Sequence, residues 1–240
     1  MNLKWLKSIV ILLCCGILVA CSSSQTNTEG KDTDKKPDEK TPPTEQVVEL
    51  KELVVGIEAE PTSLDPFNST DGNSATVQST MFEGLLRFDE GMNIVPVLAT
   101  DYSFNEDASE ITFTLREGVT FHDGSMFNAE VVKENLDFVR DRENGLARAS
   151  FFSFIEEVVV NSDYSVTIKS AEPNSAMASY MAHSSASFKP VSQINEKKEN
   201  PDTNLDRNPI GTGPFVFVEW KDSEHVVVKR NEDYWKSLHK

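Results

Sequence analysis

The histidines are the residues of this sequence whose chemistry is most versatile, and their spacing argues against catalysis. Together they are His122, His183, His225 and His239. No two have the HExxH spacing that places metal ligands on one helical face, and no GxSxG nucleophile motif is present. His122 precedes Asp123 and Gly124, which suggests a catalytic dyad, but an Asp-Gly pair between a strand and a helix is more typical of a turn. We therefore expect no enzyme activity, no catalytic residue, no metal and no cofactor.

Two further motifs have both a chemical and a structural interpretation. Gly211-Thr-Gly213 could cradle a phosphate, but it lacks the GxxxxGK[ST] pattern, and the following Pro214 donates no backbone N–H. A tight backbone passage before a strand fits better. Tyr234 and Trp235 could form a stacking platform, although packing in a core or a hinge is the more common role of such a pair.

The charge balance excludes one class of partner. The formal net charge is −16, from 23 Lys+Arg against 39 Asp+Glu. Binding to nucleic acid or anionic lipid requires basic side chains that neutralise phosphates, so we expect no nucleic-acid partner. The acidity need do no more than keep the protein soluble. Carboxylate pairs are so numerous that none stands out as catalytic.

The first 20 residues have the pattern of a secretory signal peptide. Lys4 and Lys7 precede an apolar run over residues 9–19, which is shorter than the roughly 20 residues that span a bilayer. Leu18-Val19-Ala20-Cys21 resembles a bacterial lipobox, so we expect Cys21 to be lipidated at the extracytoplasmic face of the cell membrane. The alternative is an ordinary signal peptide with a chance Cys. Because the other two cysteines lie inside the signal, a lipidated chain has no thiol left for catalysis or metal binding.

Residues 22–46 contain no Val, Ile, Leu, Met or aromatic residue. Such a segment cannot bury enough surface to offset its ordering entropy. We predict that residues 21–46 comprise the lipidated Cys and a disordered tether.

The remaining chain mixes helical and strand patterns without a repeated βαβ period, which indicates an α+β (mixed α/β) fold. Ile111, Phe113 and Leu115 alternate inward on a strand, and Asn128 caps a helix with Val132, Leu136 and Val139 on one face. The other predicted elements are a buried strand over 53–57, helices over 73–85 and 175–182, a hairpin pairing 158–160 with 165–169, and a strand pair over 215–218 and 226–229.

Seven segments together resemble the bacterial extracellular solute-binding proteins of family 5, which bind oligopeptides, dipeptides, glutathione or nickel chelates. They are PTSLDP at 61–66, MFEGLLRF at 81–88, PVLA at 96–99, FTLREGVTFHDG at 113–124, FNAEVV at 127–132, PIGTGPF at 209–215 and NEDYW at 231–235. Each is weak alone, but their number, order and spacing make the resemblance strong.

The resemblance implies a periplasmic-binding-protein-like type II fold that is incomplete here. Lobe I would start at residues 47–75, a small second domain would cover 76–180, and lobe I would continue over 181–240, with the other lobe missing. Because one wall of the cleft would then be absent, we expect weak ligand capture by this chain alone.

The resemblance also implies ligand-binding residues. The loop after the first strand contributes Glu60, Thr62 and Ser63, of which Glu60 could receive a substrate ammonium. The return from the second domain contributes His183, Ser184 and Ser185. For each group the alternative is an ordinary exposed loop.

The function implied is capture of short peptides, of dipeptide, oligopeptide or glutathione type, for the permease and ATPase subunits of an ABC importer. Nickel-binding relatives tend to carry Arg near residues 181–187, where this sequence has none, so a peptide is favoured over a nickel chelate. The alternatives are a nickel-chelate-binding member, and a truncated remnant or structural surface lipoprotein. A secreted hydrolase is the least favoured.

Overall fold

The computed structural model describes residues 52–236. The predicted signal peptide, Cys21 and the tether over 22–46 lie outside the described residues. Within them no helix combines the length and apolar character needed to cross a membrane. The helices are α1 (Gly72–Met81), α2 (Ala129–Arg140), α3 (Met177–Met181) and α4 (Val191–Glu199), with 3₁₀ helices at Arg142–Asn144 and Ala149–Phe152. The strands are β1 (Leu86–Phe88), β2 (Ile94–Pro96), β3 (Ala99–Phe104), β4 (Glu110–Leu115), β5 (Ile155–Ser162), β6 (Ser165–Ser170), β7 (Phe215–Lys221) and β8 (His225–Arg230).

The main sheet is antiparallel, with strand order β3-β4-β6-β5. The predicted alternation in β4 is confirmed, because Ile111, Phe113 and Leu115 are all buried. Ile111 pairs with Ile168 and Phe113 with Val166, so these two buried residues of β4 face apolar neighbours on β6. The predicted β5–β6 hairpin is also confirmed, and the sheet thereby presents a continuous apolar face.

Helix α2 packs against β5 and β6 on that sheet. Its N-cap is Asn128, as predicted, and the Asn128 side chain accepts a 3.0 Å hydrogen bond from the Val131 N–H. Val132, Leu136 and Val139 are buried, which confirms the predicted face. The capping residue and the 3.6-residue period together therefore fix where this helix begins and which way it faces.

The β7–β8 hairpin is confirmed as well, and it packs elsewhere. Phe217 and Trp220 lie against a small second cluster of buried residues that contains Met81 at the end of α1. Helix α1 begins after Asp71, whose carboxylate accepts a 2.8 Å hydrogen bond from the Ser74 N–H. The hairpin and α1 thus stabilise each other.

The prediction of one helix over 73–85 is wrong at its C-terminal end. Helix α1 stops at Met81, and the chain becomes extended at Phe82. The cause is Gly84, which forms a β-bridge with Ser187. A Cβ at Gly84 would lie 2.5 Å from the Ala186 carbonyl oxygen, so the chain must run straight past that backbone. Leu85 is buried, as its apolar character indicates, but it lies beyond the helix.

The predicted buried strand over residues 53–57 is also wrong. These residues form no strand, and Val54 and Val55 are 83% and 69% exposed. Their β-branched side chains favour an extended backbone, but a strand also requires a hydrogen-bonded partner, and no other described segment pairs with them. Conversely β1, β2, β3 and α4 form without having been predicted, because their patterns are short or irregular.

A buried ion pair joins the segment before α4 to the loop before α1. Lys189 is 1% exposed, and its Nζ lies 2.5 Å from Oδ1 of Asp65 and 4.5 Å from the centre of the Phe67 ring. Burial lowers the pKa of Lys189, while the neighbouring Asp65 carboxylate opposes that shift. Each charge is therefore buried only because the other is present.

Candidate functional site

The loop before α1 carries the first predicted group, and its side chains are largely engaged within the protein. The Thr62 hydroxyl donates to Asp71 at 2.6 Å. Ser63 is buried, and its hydroxyl donates to Asp206 at 2.6 Å. Thr62 is exposed and remains accessible to a ligand, whereas the role visible for Ser63 is to connect this loop to the segment after α4.

Glu60 is exposed and lies beside the β7–β8 turn. Its Oε1 accepts hydrogen bonds from the Trp220 Nε1–H at 2.9 Å and the Ser223 N–H at 3.1 Å. Its Oε2 has no hydrogen-bond partner within residues 52–236. The carboxylate therefore positions the hairpin and still has one oxygen free for a cationic group.

The second predicted group lies at the C-terminal end of α3. His183 is half-buried, Ser184 is exposed and Ser185 is buried. The Ser185 N–H donates to Nδ1 of His183 at 3.1 Å, so the neutral ring carries its proton on Nε2. Burial lowers the pKa of His183, and the positive charge of Arg148 lowers it further. At a pH above this lowered pKa, His183 is neutral and its Nε2–H can donate a hydrogen bond.

A row of half-buried aromatic rings begins next to His183. The Phe151 ring centre lies 4.8 Å from that of His183 and 5.1 Å from that of Tyr180. Tyr180 in turn stacks on Phe154 at 4.6 Å. Such rings offer apolar area together with polar edges, which is the usual character of a small-molecule site. We call Phe151, Phe154, Tyr180 and His183 the aromatic cluster.

Arg148 connects the two predicted groups, and the sequence analysis missed it. Its Nε–H donates to the Ser69 carbonyl at 2.7 Å, which anchors the side chain next to the loop before α1. Burial lowers the pKa of Arg148, and the nearby charge of Asp71 opposes this. The Arg148 carbonyl accepts a 2.9 Å hydrogen bond from the Phe151 N–H, so Arg148 lies between Ser69, in the loop before α1, and Phe151 of the aromatic cluster. The only signal in the sequence was a basic residue directly before an Ala-Ser-Phe-Phe run.

The structure does not bring Glu60 into the same neighbourhood by any hydrogen bond. Its partners belong to the hairpin, whereas Thr62 and Ser63 contact Asp71, Ser74 and Asp206. The candidate site is therefore the surface formed by Arg148, Thr62 and the aromatic cluster, with Ser184 at its edge.

The Gly211-Thr-Gly213 segment is a tight backbone passage, as predicted. A Cβ at Gly211 would lie 2.0 Å from the Met81 carbonyl oxygen. The His122 ring holds the segment: Nδ1 accepts from the Gly211 N–H at 3.2 Å, and Nε2 bonds the Gly213 carbonyl at 3.0 Å. Burial lowers the pKa of His122, while its bond to Gly213 and the charge of Asp123 act in the opposite direction. His122 is thus a structural residue, and Asp123 forms the predicted turn by accepting from Ser125.

Glu83 joins this passage to the Tyr-Trp motif. Its carboxylate accepts from the Thr212 hydroxyl at 2.8 Å, the Tyr234 hydroxyl at 2.7 Å and the Trp235 Nε1–H at 2.8 Å. Burial and the bond to Glu83 raise the pKa of Tyr234. The prediction that the motif packs rather than stacks on a ligand is consistent with these contacts.

A separate open cavity of about 320 Å³ lies beside the segment after α4. Asp65, Asp202, Asp206 and Lys197 are among its lining residues. Lys197 already donates to two backbone carbonyls, and the Asp206 carboxylate accepts hydrogen bonds from Ser63 and Asn68. Within residues 52–236 no three His, Cys, Asp or Glu side chains are arranged to hold a metal. The cavity is therefore a weaker candidate than the surface around Arg148.

Comparison with known proteins agrees with this architecture. The family model for bacterial extracellular solute-binding proteins, family 5 (middle), matches residues 93–240. The glutathione-binding protein GsiB of Pectobacterium atrosepticum is 36% identical over 188 residues, which cover 78% of this chain and 36% of that protein. This chain thus spans about a third of the length of such relatives.

Solved structures show the same similarity. A dipeptide binding protein from Pseudoalteromonas, in complex with Met-Leu, is 28% identical with a TM-score of 0.67, and the match covers 75% of this chain and 39% of that one. NikZ from Campylobacter jejuni, in complex with Ni(L-His), is 30% identical with a TM-score of 0.64, covering 77% and 36%. The mixed α/β fold is that of part of a type II periplasmic binding protein, and the chain belongs to the bacterial extracellular solute-binding proteins of family 5.

Proposed function

We propose that this chain contributes part of the ligand site of an ABC importer's solute-binding protein, and that its ligands are short peptides of dipeptide, oligopeptide or glutathione type. The observation that carries the proposal is the surface around Arg148, where a half-buried cation lies beside half-buried aromatic rings in a chain of family 5. The relatives named for glutathione and for a dipeptide support this choice of ligand.

The chemistry of the surface suits a peptide. Phe151, Phe154 and Tyr180 offer apolar faces for a side chain, and Ser184 offers an exposed hydroxyl. Glu60, with one carboxylate oxygen unoccupied, remains the candidate acceptor for an ammonium group. Peptides carry all three kinds of group, so adaptable apolar contacts with a few polar anchors can hold them.

A nickel chelate is the second candidate. The absence of Arg from residues 181–187 disfavours it, but Arg148 supplies a guanidinium from another segment, and its backbone contacts Phe151, whose ring lies 4.8 Å from that of His183. The complex of NikZ with Ni(L-His) supports the same alternative. Both ligand classes carry carboxylates, so their discrimination depends on the metal and the apolar contacts.

The proposal includes a location and partners. We propose that Cys21 is lipidated, that residues 22–46 tether the domain outside the cell membrane, and that permease and ATPase subunits receive the ligand. The division into lobe I, second domain and lobe I continuation also stays a prediction. Cell fractionation of Cys21→Ala tests the anchor: the variant should lose both lipid label and membrane retention, and membrane retention with an unchanged label would contradict it.

Binding can be tested with the full chain by ligand-observed NMR, which detects millimolar affinities. The panel is Met-Leu, glutathione and Ni(L-His). We expect Ser184→Trp to reduce binding, because an indole there covers the exposed edge of the site. Ser162→Trp, at an exposed position in β5, is the matched control. A chain that binds none of the three, or that binds them equally in both variants, would exclude this surface as the ligand site.

A further inference from the structure

Arg148 differs from the other arginines of residues 52–236 in its environment. Arg140 pairs with Asp137, and Arg207 pairs with Asp222. Arg116 is also half-buried and donates only from Nε, to the Val97 carbonyl at 3.1 Å, but its guanidinium is covered by the Trp235 ring at 4.5 Å. Arg148 is half-buried, yet only its Nε makes a hydrogen bond, and its two terminal nitrogens have no partner among the described residues. A partly desolvated guanidinium with unused donors favours the approach of an anion.

The nearest carboxylate does not fill this role. Asp71 accepts at Oδ1 from the Ser74 N–H and at Oδ2 from the hydroxyls of Thr62 and Ser74. Burial alone would raise the pKa of Asp71, but these hydrogen bonds outweigh that effect, so the pKa is lowered. Asp71 thus serves as the cap of α1, and it forms no ion pair with Arg148 within 4.0 Å.

His183 adds a second unused donor. Because its Nδ1 accepts from the Ser185 N–H, the proton of the neutral ring lies on Nε2, which has no acceptor within the described part of the chain. The His183 ring lies 4.8 Å from the Phe151 ring, and the Arg148 carbonyl accepts a 2.9 Å hydrogen bond from the Phe151 N–H, so Phe151 contacts both residues that carry unused donors. An acceptor-only group with an apolar neighbour matches that arrangement.

We propose that Arg148 and His183 form a binding site for a ligand carboxylate, with the faces of Phe151 and Tyr180 receiving the apolar side chain attached to it. This deepens the proposed function and rests on it: the ligand would be an anion that presents a carboxylate next to an apolar group. Binding is non-covalent, and the ion pair with the guanidinium carries most of the preference for acid over neutral ligand.

The test uses N-acetylphenylalanine as the probe and its uncharged amide as the reference, at constant ionic strength set by NaCl. The full chain is titrated by NMR of the histidine ring protons, and the His183 signal is assigned from a His183→Gln sample. A carboxylate on Arg148 offsets the charge that depresses the His183 pKa, so the acid should raise that pKa and the amide should leave it unchanged.

Variants separate the site from a general charge effect. Arg148→Gln should bind the acid roughly tenfold more weakly, as expected for loss of one charge-assisted hydrogen-bonded pair. Arg148→Lys keeps the charge without the planar fork and should retain part of the affinity. Arg142→Gln, an exposed arginine six positions earlier, should bind as the unaltered chain does. Preserved melting temperatures in the variants exclude misfolding as the cause.

The outcomes distinguish this inference from the proposed function. Equal binding of acid and amide, or an Arg148→Gln chain that binds the acid normally, overturns the carboxylate site. If peptides still bind in the ligand panel, the proposed function stands without it. If the acid binds through Arg148 but no peptide or chelate binds, the carboxylate site stands and the choice of peptide or chelate is wrong.

Discussion

Replacing Glu83 with Ala should strongly destabilise the protein, whereas Gln should be tolerated. The Glu83 carboxylate accepts hydrogen bonds from Thr212, Tyr234 and Trp235. Ala removes every acceptor at once. In Glu83→Gln the amide oxygen can take the place of Oε2, which accepts from both Thr212 and Trp235, and the amide N–H can donate to the Tyr234 oxygen.

The magnitude follows from the burial of the donors. Thr212 is 0% exposed, so its unpaired hydroxyl costs about 1–3 kcal/mol. Tyr234 and Trp235 are half-buried and can partly reach water, which reduces each loss to about 1 kcal/mol. The sum for Glu83→Ala is about 3–5 kcal/mol. Glu83→Gln loses the charge but keeps the three bonds, at a cost of about 1 kcal/mol.

Urea unfolding followed by tryptophan fluorescence and circular dichroism measures both changes. With an m value of about 2 kcal/mol per molar urea, Glu83→Ala should lower the midpoint by roughly 2 M and Glu83→Gln by roughly 0.5 M. Glu90→Ala removes an exposed acid from the β1–β2 turn and serves as the control, with no change expected.

Two results would refute this reasoning. If Glu83→Ala unfolds at the same urea concentration as Glu90→Ala, the three hydrogen bonds do not stabilise the fold. If Glu83→Gln is destabilised as much as Glu83→Ala, the charge matters and the number of accepted bonds does not.

Three further predictions concern other contacts. Gly211→Ala should destabilise the chain by several kcal/mol in urea titrations, because its Cβ would lie 2.0 Å from a backbone oxygen at the end of α1. The control Gly72→Ala places its Cβ in open space and should be neutral or slightly stabilising. Equal urea midpoints for the two variants would contradict this. Lys189→Met should cost about 3–5 kcal/mol of unfolding free energy by leaving Asp65 charged and unpaired, and adding Asp65→Asn should restore most of it; the idea fails if the double variant is no better. The pKa of His122 is lowered in the folded state, so neutral His122 contributes stability that is complete above the unfolded pKa near 6.5 and is lost as the pH falls through the folded value. Melting temperatures of His122→Asn should therefore depend less on pH between about 7 and 5 than those of the unaltered chain. Parallel pH profiles of the two proteins would count against this.

Local patterns in the sequence predicted those elements whose stability is also local. The N-cap of α2 and the alternation of β4 depend on neighbours within a few residues, so a period and a capping residue are enough to find them. The end of α1 depends instead on Gly84 passing the backbone of Ala186, about 100 residues away. Residues 53–57 have strand-forming side chains, but pairing is not a local property, and the prediction failed there.

The candidate site shows the same division. The resemblance indicated Thr62, which lies within the PTSLDP segment, and His183, which lies at the return from the second domain. Arg148 lies between two 3₁₀ helices in a segment without a motif, and its importance comes from its contacts with the Ser69 carbonyl on one side and Phe151 on the other. Likewise, the sequence predicted a turn at His122 and a tight backbone passage at Gly211, but their contact joins residues 89 positions apart.

The contacts of Glu83 also determine when this fold can close during synthesis. Its three hydrogen-bond donors lie 129, 151 and 152 residues further along the chain. A ribosome that adds roughly 5–20 residues per second needs on the order of ten seconds to produce them after Glu83 has emerged. Until Thr212 emerges, the segment after α1 has its carboxylate but none of these donors, and the donors of Tyr234 and Trp235 come last. The first part of the domain to be synthesised is therefore completed only when Trp235 emerges.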